Sequence, residues 1–237
     1  MEDHSSGLGD HCRYPACERH KMGAKTWMLV TSSGCASETL ASRPTLNRDA
    51  ALAYAQSLFP NEAHTPLEDG DLYYTNPPDD QLFVGCFADV NVIAASEFGI
   101  DYPSTLPTNF IPKTGFATLH AMHSVVDWFA FAHWVDGELL RSLSLSPDHG
   151  VMEDIGEKLL FEKPYWGGEF PAVDDEEDDD YPFPFHPLEL GEAALLNFFG
   201  YQIEGYADRN LIEPEDFPLM QLGRSAKSND KPWWKLW

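Results

Sequence analysis

LHAMHSVVDWFAFAHWVDGELLRSLSLSP, residues Leu119–Pro147, carries three of the nine histidines, two of the seven tryptophans and a strong turn signal. Asp136-Gly137 is that turn. Both residues tolerate positive φ, which a two-residue type I′ hairpin loop requires. A regular hairpin closed there predicts Val135 opposite Glu138, Trp134 opposite Leu139, Ala132 opposite Arg141, Ala130 opposite Leu143 and Trp128 opposite Leu145. Because side chains alternate along a strand, the other face pairs His133 with Leu140, Phe131 with Ser142, Phe129 with Ser144 and Asp127 with Ser146. Apolar residues on both faces predict strands covered on both sides. In that register Arg141 lies diagonal to Trp134. Its expected role is a guanidinium stacked on the indole, worth about 0.5–2 kcal/mol; the competing role is an anion-binding arginine.

His120, His123 and Asp127 share a face only in a helix, where residues three and four apart are neighbours. In a strand, His120 and His123 point to opposite faces. The hairpin makes Asp127 a strand residue, and the β-branched Val125-Val126 extends that strand backwards. Phe116–His120 is read as its beginning. The metal triad therefore needs a secondary structure that the local sequence opposes, and neither a metal nor a cofactor is expected.

Working outward, Lys25–Thr31 reads as a first strand and residues 32–44 as loop. Asn47 caps a helix over 48–59, stopped by Pro60. Leu72–Thr75, Leu82–Ala88 and Val90–Ala95 read as strands, Asp101–Lys113 as a proline-punctuated loop, Pro147–Gly150 as a turn and Leu159–Lys163 as a strand. Gly167-Gly168 reads as a turn. His186 caps a second helix over 187–199, with Pro187 in its first position and Glu189 placed to bond back to the cap backbone. Gly200 ends that helix in a left-handed conformation. His186 and Glu189 also have the chemistry of an acid–base or metal pair, but capping accounts for both. The fold expected is α+β: a single domain over residues 22–222 with a mostly antiparallel sheet, a central hairpin over about 119–146 and few helices.

Composition narrows the function classes. Hydrophobic residues make up 43% of the 237 and aromatics 13%, enough for a globular core. Lys plus Arg total 15 against 39 Asp plus Glu, a net charge of −24. Phosphate contact needs a basic surface, so this balance argues against direct nucleic-acid binding. No run approaches the ~20 apolar residues of a spanning helix. The apolar run Trp27–Val30 is too short for a signal peptide, and four cysteines do not suggest a disulfide scaffold, so a cytoplasmic protein is expected. Residues 1–21 lack periodicity and read as a disordered extension; a zinc knuckle built on His4, His11, Cys12, Cys17 and His20 has no apolar material to pack around it. Met22 is the natural alternative start. Asp174–Asp180, DDEEDDD, reads as an exposed, self-repelling loop, and residues 223–237 as a basic, Trp-rich tail. Phosphate loop, nucleophile elbow, zinc ribbon and HExxH patterns are all absent from the sequence.

MGAKTWMLV (22–30), LHAMHSVVDWFAFAHW (119–134), RSLSLSPDHGV (141–151), LFEKPYWGGE (160–169) and PFHPLELGEAALLNFFGYQIEG (184–205) resemble an uncharacterised actinobacterial family of unknown function. The resemblance covers Met22 to about Gly205. It implies a bacterial, cytoplasmic protein with a start at Met22, and carries no activity, cofactor or catalytic residue. Two readings of function follow. The first is a non-catalytic binding or interaction protein, with a protein or small-molecule partner or a homo-oligomer. The second is a hydrolase, with or without a metal, using a histidine of His120 and His123 as base, Asp127 to orient it and Arg141 for an anionic group, with His186 and Glu189 brought near by folding.

Overall fold

The computed structural model describes residues 23–172, 181–204 and 211–226. The readings made for residues 1–21, 174–180 and 227–237 lie outside them. The elements in chain order are β1 (Lys25–Ser32), α1 (Ala36–Ala41), α2 (Arg48–Leu58), β2 (Glu62–Pro66), β3 (Gly70–Asp71), β4 (Gln81–Phe87), β5 (Val90–Ala94), β6 (Phe116–His123), β7 (Trp128–Val135), β8 (Glu138–Ser146), β9 (Gly150–Ile155), α3 (Lys163–Trp166), α4 (Pro187–Phe199) and β10 (Pro218–Ala226). Among the described residues, ten strands form one open sheet in the order β2-β10-β4-β5-β1-β6-β7-β8-β9, with β3 added beside β10. Every strand pair is antiparallel. The fold is α+β, as the sequence indicates.

Both faces of the sheet are covered. On one, Met28, Val30, Met122, Phe129, Phe131, Leu143 and Leu145 pack against Leu190, Ala194 and Leu195 of α4 and Leu40 of α1. On the other, Leu29, Ile93, Leu119, Ala130 and Trp134 pack against Ala51 and Ala55 of α2, against Phe98 just after β5, and against Leu106 of the proline-rich loop. Each fully buried Leu or Phe contributes about 1.5–3 kcal/mol of apolar burial. The strands thus read as near-continuous apolar runs, without the alternation of a sheet that is wet on one side.

The predicted caps are present. Asn47 accepts a hydrogen bond from the Ala50 N–H at 3.0 Å. At α4 the His186 Nδ1 accepts from the Leu188 N–H at 3.3 Å, Pro187 occupies the first turn, and Gly200 closes the helix at φ 82°. Glu189 differs from expectation: among the described residues its carboxylate makes no hydrogen bond to the cap, and only its N–H bonds back, to the His186 carbonyl.

Four other expectations are corrected. The hairpin turn is as predicted, with Asp136 at φ 52° and Gly137 at φ 84°, but the register slips one residue beyond it. Trp134 pairs with Leu139, whereas His133 pairs with Arg141, Phe131 with Leu143 and Phe129 with Leu145. Leu140 is the extra residue of a β-bulge. Such an insertion moves every later side chain to the other face, so Arg141 faces away from Trp134. Second, Val125 and Val126 do not extend β7 backwards. Residues 124–127 are a turn, with Asp127 at φ 47°, and β6 and β7 form a hairpin of their own. Third, residues 160–162 are a turn leading into α3, which begins at Lys163, and residues 72–73 are a turn, with Thr75 touching β1 through one Thr26–Thr75 bridge; conversely, β2, β9 and α1 form in segments given no strand or helix. Fourth, residues 223–226, assigned to the tail, are the end of β10. There Arg224 bonds both Glu62 and Glu97 and lies 4.5 Å from the Phe59 ring centroid.

Candidate functional site

The side chains singled out from sequence fall into four separate places. His120 is fully buried on the α4 side of β6. Its Nε2 donates to the Gly191 carbonyl at 3.0 Å, which leaves Nδ1 to accept from the Thr26 hydroxyl at 2.7 Å. Burial pushes its pKa down to about 4. In this neutral ring Nε2 carries the proton, and the one ligating lone pair, on Nδ1, is taken by the Thr26 hydroxyl. His123 sits at the end of the same strand but on the opposite face, 6.3 Å from the Trp27 ring, and its Nδ1 accepts from the Val125 N–H. Among the described residues, no group of three or more His, Cys, Asp or Glu side chains is placed to hold a metal ion.

Asp127 and His186 do meet. The turn at 124–127 brings Asp127 Oδ2 to 3.6 Å from His186 Nε2, an electrostatic contact longer than a hydrogen bond. Tyr181 stacks on the His186 ring at 5.9 Å and 17°. Burial, and then the nearby Asp127 and Glu189 charges, push the Tyr181 hydroxyl up to about 12. With His186 already capping α4, this cluster anchors the helix start to the β6–β7 turn. Glu189 is exposed beside it.

Arg141 is neither stacked on an indole nor open to a ligand. It is fully buried. Nε and Nη2 reach Glu162 at 2.9 and 2.7 Å, and Nη1 reaches Asp154 and the Ile155 carbonyl. Burial works against its charge, but the hydrogen bonds it donates to Glu162 and Asp154 outweigh that and raise its pKa. The guanidinium fork is filled by the protein's own carboxylates.

A cleft lies elsewhere, between the α4-side face of the sheet and helices α1 and α4. It has a volume of about 240 Å³. Val30, Phe116, Phe198 and Phe199 make it apolar, while Ser32, Cys35, Thr118, His133 and Asn197 bring polar atoms to it. His133 lies between aromatic rings, stacked on Phe116 at 6.0 Å and packed on Phe198 at 4.9 Å. Its Nδ1 is held by the Thr118 hydroxyl at 2.8 Å, and among the described residues Nε2 has no hydrogen-bond partner. Burial pushes its pKa down to about 4, so the ring is neutral at neutral pH. Cys35 stands at the start of α1, its Sγ 3.2 Å from the Ser37 hydroxyl.

None of the five polar cleft residues was a sequence candidate. They come from β1, the β1–α1 turn, β6, β7 and α4, and no local motif links them. The one available signal was His133 itself, a histidine within an otherwise aromatic and aliphatic strand.

A family model, Family of unknown function (DUF6928), matches residues 26–222. The chain belongs to this family. No curated protein and no solved structure matches it. The DUF6928 span runs from β1 into β10 and contains all five polar cleft residues. No helix among the described residues is long and apolar enough to cross a membrane.

Proposed function

We propose that this DUF6928 protein is a non-catalytic binding protein of the bacterial cytoplasm that holds a small, mostly apolar molecule in the cleft between the sheet and helices α1 and α4. The observation that carries the reading is His133. It is a neutral imidazole anchored through Nδ1 to Thr118 and flanked by Phe116 and Phe198. An apolar wall with a few convergent polar groups is the usual make-up of a small-molecule pocket, and about 240 Å³ is at the small end of that class. A neutral ring in a chain of net charge −24 gives an anion no electrostatic welcome. The preferred ligand is therefore an uncharged ring or short chain with one hydrogen-bonding group.

The test is NMR titration of the full chain, with ¹⁵N-labelled histidine, against indole, phenol and hexanol. At least one probe shifts the His133 resonances saturably below about 10 mM, and Asn197→Trp, which fills the cleft mouth from an exposed position of α4, abolishes the shift. Absence of saturable binding by all three probes, or binding indifferent to Asn197→Trp, overturns the reading.

A further inference from the structure

We infer that a second ligand site lies on the opposite face of the sheet and takes a small organic cation such as a quaternary ammonium. It is a cavity of about 310 Å³ where β1, the β6–β7 hairpin and the β8–β9 turn converge. Trp27 and Trp128 form its walls with Met152, and Asp101 and Asp148 stand exposed at its rim. This is the combination that favours an organic cation: aromatic faces carry negative potential, and a carboxylate supplies the counter-charge without full desolvation.

Three details support the assignment. Trp128 is 8% exposed and its indole N–H donates to the Ser144 hydroxyl at 3.2 Å, so the ring plane is held in advance of any ligand. His123 also lines the cavity, and burial, followed by the Lys25 charge, lowers its pKa; a neutral imidazole adds no repulsion. Finally, the Lys25 ammonium lies 4.4 Å from the Trp27 ring centroid. The protein's own cation already uses that indole, which shows the ring to be electrostatically suited to one; Lys25 does not itself line the cavity, and its charge opposes a bound cation.

A neutral isostere separates charge recognition from shape. Isothermal titration of the full chain with choline and with 3,3-dimethyl-1-butanol, which replaces nitrogen by carbon, is expected to show choline bound at least ~10-fold more tightly. Trp27→Leu weakens choline by about 10-fold and Asp148→Asn, at an exposed turn position that leaves the core untouched, by about 3-fold. Lys25→Met strengthens it. Equal affinities for the two probes, or choline binding unmoved by both Trp27→Leu and Asp148→Asn, overturns the assignment. Co-sedimentation with phosphatidylcholine vesicles that Trp27→Leu abolishes overturns the free cation in favour of a lipid headgroup.

Discussion

Arg141 Nη2 and Glu162 Oε2 lie 2.7 Å apart with both side chains fully buried. The pair joins β8 to the turn before α3, and Glu162 Oε1 also accepts the Leu159 N–H at 2.8 Å. A charge pair in that position is costly to desolvate, and it is tolerated because each partner's hydrogen-bonding capacity is met. Its consequence is topological: it ties the segment 159–166 down over the end of the sheet.

Breaking the pair from one side leaves a buried charge without its partner. Arg141→Met is expected to destabilise the protein by about 3–5 kcal/mol, with Glu162→Met in the same direction. The double variant Arg141→Met/Glu162→Met recovers much of the loss, because no unpaired charge remains at Glu162. Urea unfolding of the four proteins of this cycle measures the coupling; additive losses would contradict a mutually dependent pair.

Acid stability depends on groups pulling in opposite directions. His120 and His133 have folded pKa values of about 4, below the free value of 6.5. Their contribution is present above pH 6.5 and is lost as pH falls from there through about 4, since the unfolded chain binds the extra protons. Glu192 is opposite. Burial raises it from 4.5 to about 7, against the hydrogen bonds from the Ile203 and Glu204 N–H groups. Its folded form keeps a proton the unfolded form releases, so it loses stability as pH rises from 4.5 to 7. Glu192→Gln, which removes this titration, is expected to steepen the acid loss between pH 6.5 and 4.5, whereas His120→Gln flattens it. Unfolding free energies at half-unit pH steps check both signs.

The type I′ turn makes a third prediction. Gly137 sits at φ 84° with no atom closer than 3.5 Å to an added Cβ, so any penalty there is conformational and not steric crowding. Gly137→Val costs about 1–2 kcal/mol and Gly137→Asn much less, since Asn tolerates the left-handed region. Asp136→Ala removes the bond from the Gly115 N–H to Asp136 Oδ1, 2.8 Å long, and unpins the preceding loop. Thermal melts order the variants; Val and Asn losing equally would contradict the backbone argument.

How much was legible differs by kind of feature. The Asp136-Gly137 turn, the Asn47 and His186 caps, the Gly200 stop and the strand at β1 all depend on residues within a turn or two of each other, and they read directly from the chain. The bulge at Leu140 did not: it breaks the period-2 pattern by one residue without a glycine or proline to mark it. Placing Arg141 on the right face required Glu162 and Asp154, 21 and 13 residues away. The β6–β7 turn was hidden because Val125 and Val126 have strand-forming side chains yet are exposed, at 82% and 48%.

The Asp136-Gly137 turn, the helix caps and the coverage of both sheet faces were determined by sequence alone, because helix capping, turn φ angles and apolar patterning are short-range effects. Which side chains share a site was decided only by tertiary structure. Cys35, Thr118, His133 and Asn197 surround one cleft because the sheet sets β1, β6 and β7 side by side and α4 crosses them, with Gly191 giving His120 its carbonyl and leaving no room for a Cβ without pressing on Met122 and Phe129 at 3.1 Å. Convergence of that kind is a property of packing between distant segments, and no spacing along the chain encodes it.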